Sequence, residues 1–100
     1  MKFGLKEEII EKINAVFEKH SQIEKVIVYG SRAKGNYKNG SDIDLTMIGK
    51  DIDYSTLLKI ETQLDDLLLP YKIDLSRFES ITNNELIQHI NRIGKIFFIK

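Results

Sequence analysis

Val26, Ile27 and Val28 stand side by side, and Gly30 ends the run two residues later. Three successive β-branched residues suit a short strand buried in a sheet. A strand of that kind needs layers on both sides of it, so its neighbours in sequence decide the fold. On its N-terminal side, Leu5, Ile9, Ile13, Val16 and Phe17 recur at helical spacing among Glu and Lys, which predicts an amphipathic helix over Leu5–Lys19. On its C-terminal side, Asp42–Ile48 alternates as a second strand. Asp53 is placed to cap a helix over Tyr54–Leu69 whose stripe is Leu57, Ile60, Leu64, Leu67 and Leu68, with Pro70 as its stop.

Tyr71–Leu75 predicts a third strand. Thr82 and Glu85 have capping-box spacing ahead of a helix bearing Leu86, Ile87 and Ile90. The final apolar run, Ile96–Ile99, is expected to form an edge strand or to pack beneath the sheet. Helices and strands therefore alternate, which predicts an α/β layered fold on a small sheet with strand directions left open. With 100 residues and no linker, repeat or low-complexity tract, residues 1–100 are expected to form one domain.

Charge balances at 15 basic and 15 acidic residues, which argues against a general nucleic-acid or membrane-surface binder. No cysteine is present, so disulfides and thiolate metal sites are excluded. The N-terminal residues lack an apolar signal core, and no apolar run approaches the roughly 20 residues of a membrane span. A cytoplasmic protein is the expectation. The balance of charge is uneven: between residues 25 and 38, Lys25, Arg32, Lys34 and Lys38 occur with no acid among them. That stretch is either a solvated basic loop or a local anion site.

Two carboxylates follow it. Residues i and i+2 of a strand share a face, so Asp42 and Asp44 should project together, about 6–7 Å apart at their α-carbons. Ile43 and Leu45 would face the core. In the third strand Asp74 shares its face with Lys72 and Ser76, and it joins the other two if the strands are neighbours. Three close carboxylates repel, and a divalent cation removes the conflict; oxygen-only ligands suit magnesium or manganese. Asp74 lies in an apolar strand and is expected to be buried, so it needs either that cation or the Lys72 ammonium. Asp65 and Asp66 read as the solvated face of a helix. His20 and His89 stand without metal-ligand companions and are assigned no chemistry, His20 suiting a helix C-terminus.

Gly30 and Ser31 directly follow a strand, where a turn presents backbone N–H groups and a hydroxyl outward. Glycine lets a phosphate approach the chain closely. Arg32 and Lys34 add positive charge beside it, as phosphate contacts or as solvated loop charges. This is not the lysine-ending loop of P-loop enzymes.

Taken together, Gly30-Ser31, ten intervening residues, Asp42-Ile43-Asp44 and the later Asp74 resemble the minimal nucleotidyltransferases of the DNA polymerase β superfamily. The resemblance covers most of the chain and is greatest to the MNT-type proteins that partner HEPN-domain proteins in two-gene systems. It implies a small mixed sheet flanked by helices, and transfer of AMP from ATP to a hydroxyl with release of pyrophosphate. Asp42, Asp44 and Asp74 would hold two magnesium ions roughly 3.5–4 Å apart. Gly30 and Ser31 would hold the β- and γ-phosphates, with Arg32 and Lys34 beside the phosphates or the acceptor. The acceptor implied is a tyrosine of a HEPN-type toxin encoded nearby, which makes this chain an antitoxin in a hetero-oligomer.

Lys34 stands where many relatives carry arginine, so charge is kept but the bidentate fork is lost. These 100 residues are expected to leave no room for a large accessory domain of the kind that reads an antibiotic or a tRNA, which argues against those activities. The competing reading is a non-catalytic module that neutralises its partner by occlusion. Tyr37 is a loop tyrosine and a conceivable site of self-modification.

Overall fold

The computed structural model describes residues 1–100. In chain order the elements are α1 (Glu7–Glu18), β1 (Ile23–Tyr29), α2 (Gly30–Lys34), β2 (Ile43–Gly49), α3 (Tyr54–Asp65) and β3 (Ile73–Arg77). A single 3-10 turn (Phe78–Ser80), α4 (Asn84–Ile93) and β4 (Lys95–Ile99) complete the chain. The strands form one sheet in the order β3-β2-β1-β4. β1 runs antiparallel to both β2 and β4, whereas β2 and β3 are parallel, so the sheet is mixed. Parallel neighbours need a crossover, and α3 supplies it.

One face of the sheet carries the core. Ile43, Leu45 and Met47 of β2, Val26 and Val28 of β1 and Leu75 of β3 pack with Ile13, Val16 and Phe17 of α1 and Ile60 and Leu64 of α3. Phe17 also meets Phe98, with ring centroids 5.8 Å apart. β4 contributes two adjacent buried rings, Phe97 and Phe98, which strict alternation forbids. A register shift between Val26 and Ile27 leaves Phe97 unpaired and turns it inward, the usual work of a β-bulge. The terminal apolar run is thus an edge strand. The opposite face is covered by α4 on the β1 side, where Ile90 is buried.

Several expected boundaries move. α1 begins at Glu7, because Phe3 and Gly4 take positive φ and fold Leu5 back onto Lys2 in an isolated bridge. Leu5 is nonetheless fully buried. α3 stops at Asp65, ahead of Pro70. Leu68 adopts φ 55° and is 88% exposed, so it leaves the stripe that Leu57, Ile60 and Leu64 form. Asp53 caps α3 as expected, its carboxylate accepting from the Thr56 N–H at 2.8 Å. At α4 the cap is Asn83, which accepts from the Leu86 N–H at 3.1 Å, and not Thr82.

Candidate functional site

Pairing in the sheet builds the site. Tyr29 lies opposite Asp44, and Asp44 lies opposite Asp74. Paired residues point to the same face, so β1, β2 and β3 present a row of one phenol and two carboxylates at about 5 Å per step. Asp42 stands immediately before β2, where the Ile43 N–H donates to the Lys72 carbonyl at 2.9 Å and extends the parallel pairing. One rung further along, the Ser76 hydroxyl donates to Thr46 Oγ1 at 2.9 Å. The three aspartates singled out in the sequence therefore come to one end of two adjacent strands.

Asp44 is half-buried. Desolvation pushes its carboxyl above the usual range, and Asp74 and Asp42 push it further. Tyr29 is also raised, first by burial and then by Asp74 and Asp44, against a hydrogen bond with Ser76. Negative charge on this face is thus unfavourable to add. No three His, Asp or Glu side chains converge closely enough to ring one ion, so the site is a row and not a closed cage.

One expectation about this row is overturned. Asp74 is exposed, because β3 is an edge strand and no helix covers its outer face at that point. Its presence in an apolar strand is explained by solvent, and burial supplies no argument for a cation there.

The Gly30–Ser31 turn is the first turn of the short helix α2. Gly30 has φ 72°, a conformation open to glycine at little cost. It is also tightly apposed to the carboxylate row: a Cβ at this position would collide with Asp44 Oδ2. Gly30 and Asp44 therefore fit together as a pair. Ser31 is partly exposed and Lys34 is exposed.

Arg32 is not where a phosphate contact requires it. Its side chain is 4% exposed and is consumed inside the protein. Nε and Nη2 donate to the Ser41 carbonyl at 3.1 and 2.8 Å, and Nη1 donates to the Phe3 carbonyl at 2.9 Å. Tyr37 and Tyr71 lie over the guanidinium at 5.3 and 5.1 Å. The fork ties the N-terminal turn to the residue preceding Asp42, so Arg32 anchors the end of the loop from which the carboxylates emerge. Tyr37 is held against it and is not a free loop tyrosine.

His89, which the sequence left without a role, stands at the site. Its Nε2 accepts from the Gly30 N–H at 3.0 Å, and its ring meets Tyr29 edge-on at 6.1 Å. The signal available in sequence was its place between Leu86, Ile90 and Ile93 on the inward side of α4. His20 behaves as a structural residue: it is buried at the end of α1 and pairs through Nε2 with Gln63 Oε1 at 2.7 Å. No helix is long and apolar enough to cross a membrane.

Comparison with known proteins is consistent with this geometry. The family model described as "Polymerase beta, Nucleotidyltransferase" matches residues 11–100. The Methanocaldococcus jannaschii protein named "Putative protein adenylyltransferase MJ0604" is 38% identical over 66 residues, which cover 65% of this chain and 62% of that protein. The match thus spans less than two thirds of that relative's length. Among solved structures, a toxin–antitoxin crystal structure with AMP-PNP superposes with a TM-score of 0.71 at 23% identity, covering 96% of this chain and 75% of that one. A complex of a tri-AMPylated Shewanella oneidensis HEPN toxin with MNT antitoxin gives 0.69 at 18% identity, covering 96% and 74%. A structure described as "a putative nucleotidyltransferase from Sulfolobus solfataricus" gives 0.59 at 19% identity, covering 93% and 79%. At these identities the structural likeness establishes the fold.

Proposed function

Because this chain belongs to the polymerase beta nucleotidyltransferase family, we propose that it transfers AMP from ATP to a tyrosine hydroxyl of a HEPN-type partner and so acts as an antitoxin. The observation that carries this reading is the in-register row of Asp44 and Asp74, with Asp42 one residue ahead of the strand and Gly30 fitted against Asp44. The name of the M. jannaschii relative supports adenylyl transfer to protein. The HEPN toxin complexes among the structural neighbours support the choice of partner.

The donor set fits magnesium. Asp42, Asp44 and Asp74 offer only oxygen, and the Asp44 carboxyl, raised first by burial and then by Asp74 and Asp42, stands where added positive charge is favourable. Asp44 and Asp74, paired on adjacent strands, would hold it, and Asp42 would complete the set on moving toward them. When bound, magnesium supplies positive charge to the reacting phosphate and the departing pyrophosphate.

The remaining work belongs to the protein. The Gly30–Ser31 turn receives the β- and γ-phosphates, and Lys34, exposed at the end of α2, adds charge beside them. The acceptor oxygen attacks the α-phosphorus, the bond from that phosphorus to the bridging oxygen breaks, and pyrophosphate departs. Asp74, exposed on the edge strand β3, takes the acceptor proton before releasing it to water. Because Asp74 is open, the acceptor reaches it without any movement of the sheet.

The test is incubation of the co-expressed partner with this chain, magnesium and α-phosphate-labelled ATP. Label on the partner with wild type, and none with Asp42→Asn/Asp44→Asn, is the expected result. A stable complex that neutralises the partner without any label, with each of the four nucleotides, would replace catalysis with occlusion.

A further inference from the structure

We propose that His89 is a positioning residue of the nucleotide site, acting through the Gly30 amide; the inference rests on the nucleotidyl-transfer reading above. At the first residue of a helix the N–H has no partner within the helix. In α2 that donor is the Gly30 N–H, and His89 Nε2 accepts it at 3.0 Å from 59 residues further along the chain. An accepting Nε2 carries no proton, so the neutral ring carries it on Nδ1. The amide nearest to the carboxylate row is therefore already engaged.

Two contacts then define the turn, and a third seats the histidine that makes one of them. His89 fixes the plane of the Tyr29–Gly30 peptide from α4, Asp44 abuts the Gly30 α-carbon from β2, and the edge of the His89 ring rests against Tyr29 on β1. Rotation of the Tyr29–Gly30 peptide breaks the His89 hydrogen bond. Rotation matters because Gly30 has the φ freedom of glycine and precedes Ser31, the residue assigned to the phosphates. With the Gly30 N–H turned into the protein, the contacts left for the triphosphate are those of Ser31 and the residues after it. Gly30 serves the nucleotide by having no side chain and a fixed peptide plane, not by donating its amide. His89 is what fixes it. This places the loose end of the site, a glycine after a strand, under the control of a helix that is otherwise remote in sequence.

Two substitutions separate the hydrogen bond from the ring. His89→Phe keeps an aromatic edge against Tyr29 and removes the acceptor. His89→Gln keeps an acceptor near the position of Nε2 and removes the ring. Thermal unfolding and the Gly30 amide resonance are recorded for each variant, followed by magnesium-ATP affinity and labelled-AMP transfer to the co-expressed partner. In His89→Phe the Gly30 amide should move and exchange faster with solvent. Its KM for ATP should rise about tenfold, with kcat within about twofold of wild type, the scale of one lost buried hydrogen bond. His89→Gln should recover most of that affinity.

Equal KM values for wild type and His89→Phe, with wild type active, would overturn the positioning role and leave the transfer reading intact. Equal losses in the Phe and Gln variants would also overturn it, by assigning the effect to the ring. If wild type neither binds magnesium-ATP nor transfers label, the transfer reading fails, and the inference fails with it.

Discussion

The two faces of β2 are built on opposite principles, though their residues alternate within seven positions. Ile43, Leu45 and Met47 face a core in which every one of them is buried. Asp44 and Thr46 face the other way, into a layer organised by hydrogen bonds, close approaches and unfavourable charge. The first face is stabilised by what it buries. The second contains an acid that would ionise more readily elsewhere, held beside a glycine that admits no side chain. Residues that favour the fold and residues that oppose it are thus separated by one position, which is what a strand allows and a helix does not. The lesson is that stability and chemistry can be altered independently here by choosing odd or even positions.

The largest effect on stability should come from the core face. Leu45→Ala removes a fully buried side chain at the centre of the sheet and should cost about 3–4 kcal/mol in chemical unfolding. A cost below about 1 kcal/mol would mean that the core face collapses around the gap and is less tightly packed than its burial implies.

Arg32→Met comes next. It preserves apolar volume under Tyr71 but leaves the Phe3 and Ser41 carbonyls without their donor, at a cost of about 2–3 kcal/mol. It should also weaken magnesium-dependent transfer, since Ser41 precedes Asp42. A variant that is fully stable and loses only nucleotide affinity would restore Arg32 to the phosphates.

Gly30→Ala should cost about 1–2 kcal/mol from the positive φ alone. Its activity should fall much further than its stability, because the new methyl group displaces Asp44. Comparable losses in both would remove the distinction between the two faces.

The smallest effect is that of magnesium on melting temperature. Magnesium should raise it in wild type by offsetting repulsion at Asp44 and should leave Asp44→Asn unmoved. An equal shift in both proteins would place the ion elsewhere.

How much of this was legible in the sequence follows the range of the interactions. The Asp53 cap depends on a spacing of three residues and was readable, whereas the pairing of Asp44 with Asp74 was readable only on the condition that β2 and β3 are neighbours, which the sequence left open. The exposure of Asp74 was not readable, because it depends on β3 being an edge strand, a property of the strand order. Arg32 read as a phosphate contact or a solvated loop charge because its acceptors are a carbonyl nine residues ahead and another 29 residues behind. His89 read as isolated for the same reason, its partner lying 59 residues away. The end of α3 was misplaced because Pro70 is a strong stop signal, whereas the turn at Leu68 has no glycine to announce it.

The most direct test measures one substitution in two ways. Asp44→Asn is compared with wild type by labelled-AMP transfer to the partner and by unfolding free energy across acidic to neutral pH without magnesium. Asp44 has a folded-state pKa above its unfolded value, so the folded protein holds this proton more tightly. Its ionisation therefore lowers stability as pH rises from the ordinary carboxylate range through the elevated one. Asp44→Asn should lose transfer, be more stable than wild type at neutral pH, and lack that decline. Retained transfer, or a variant less stable than wild type at neutral pH, would contradict this expectation.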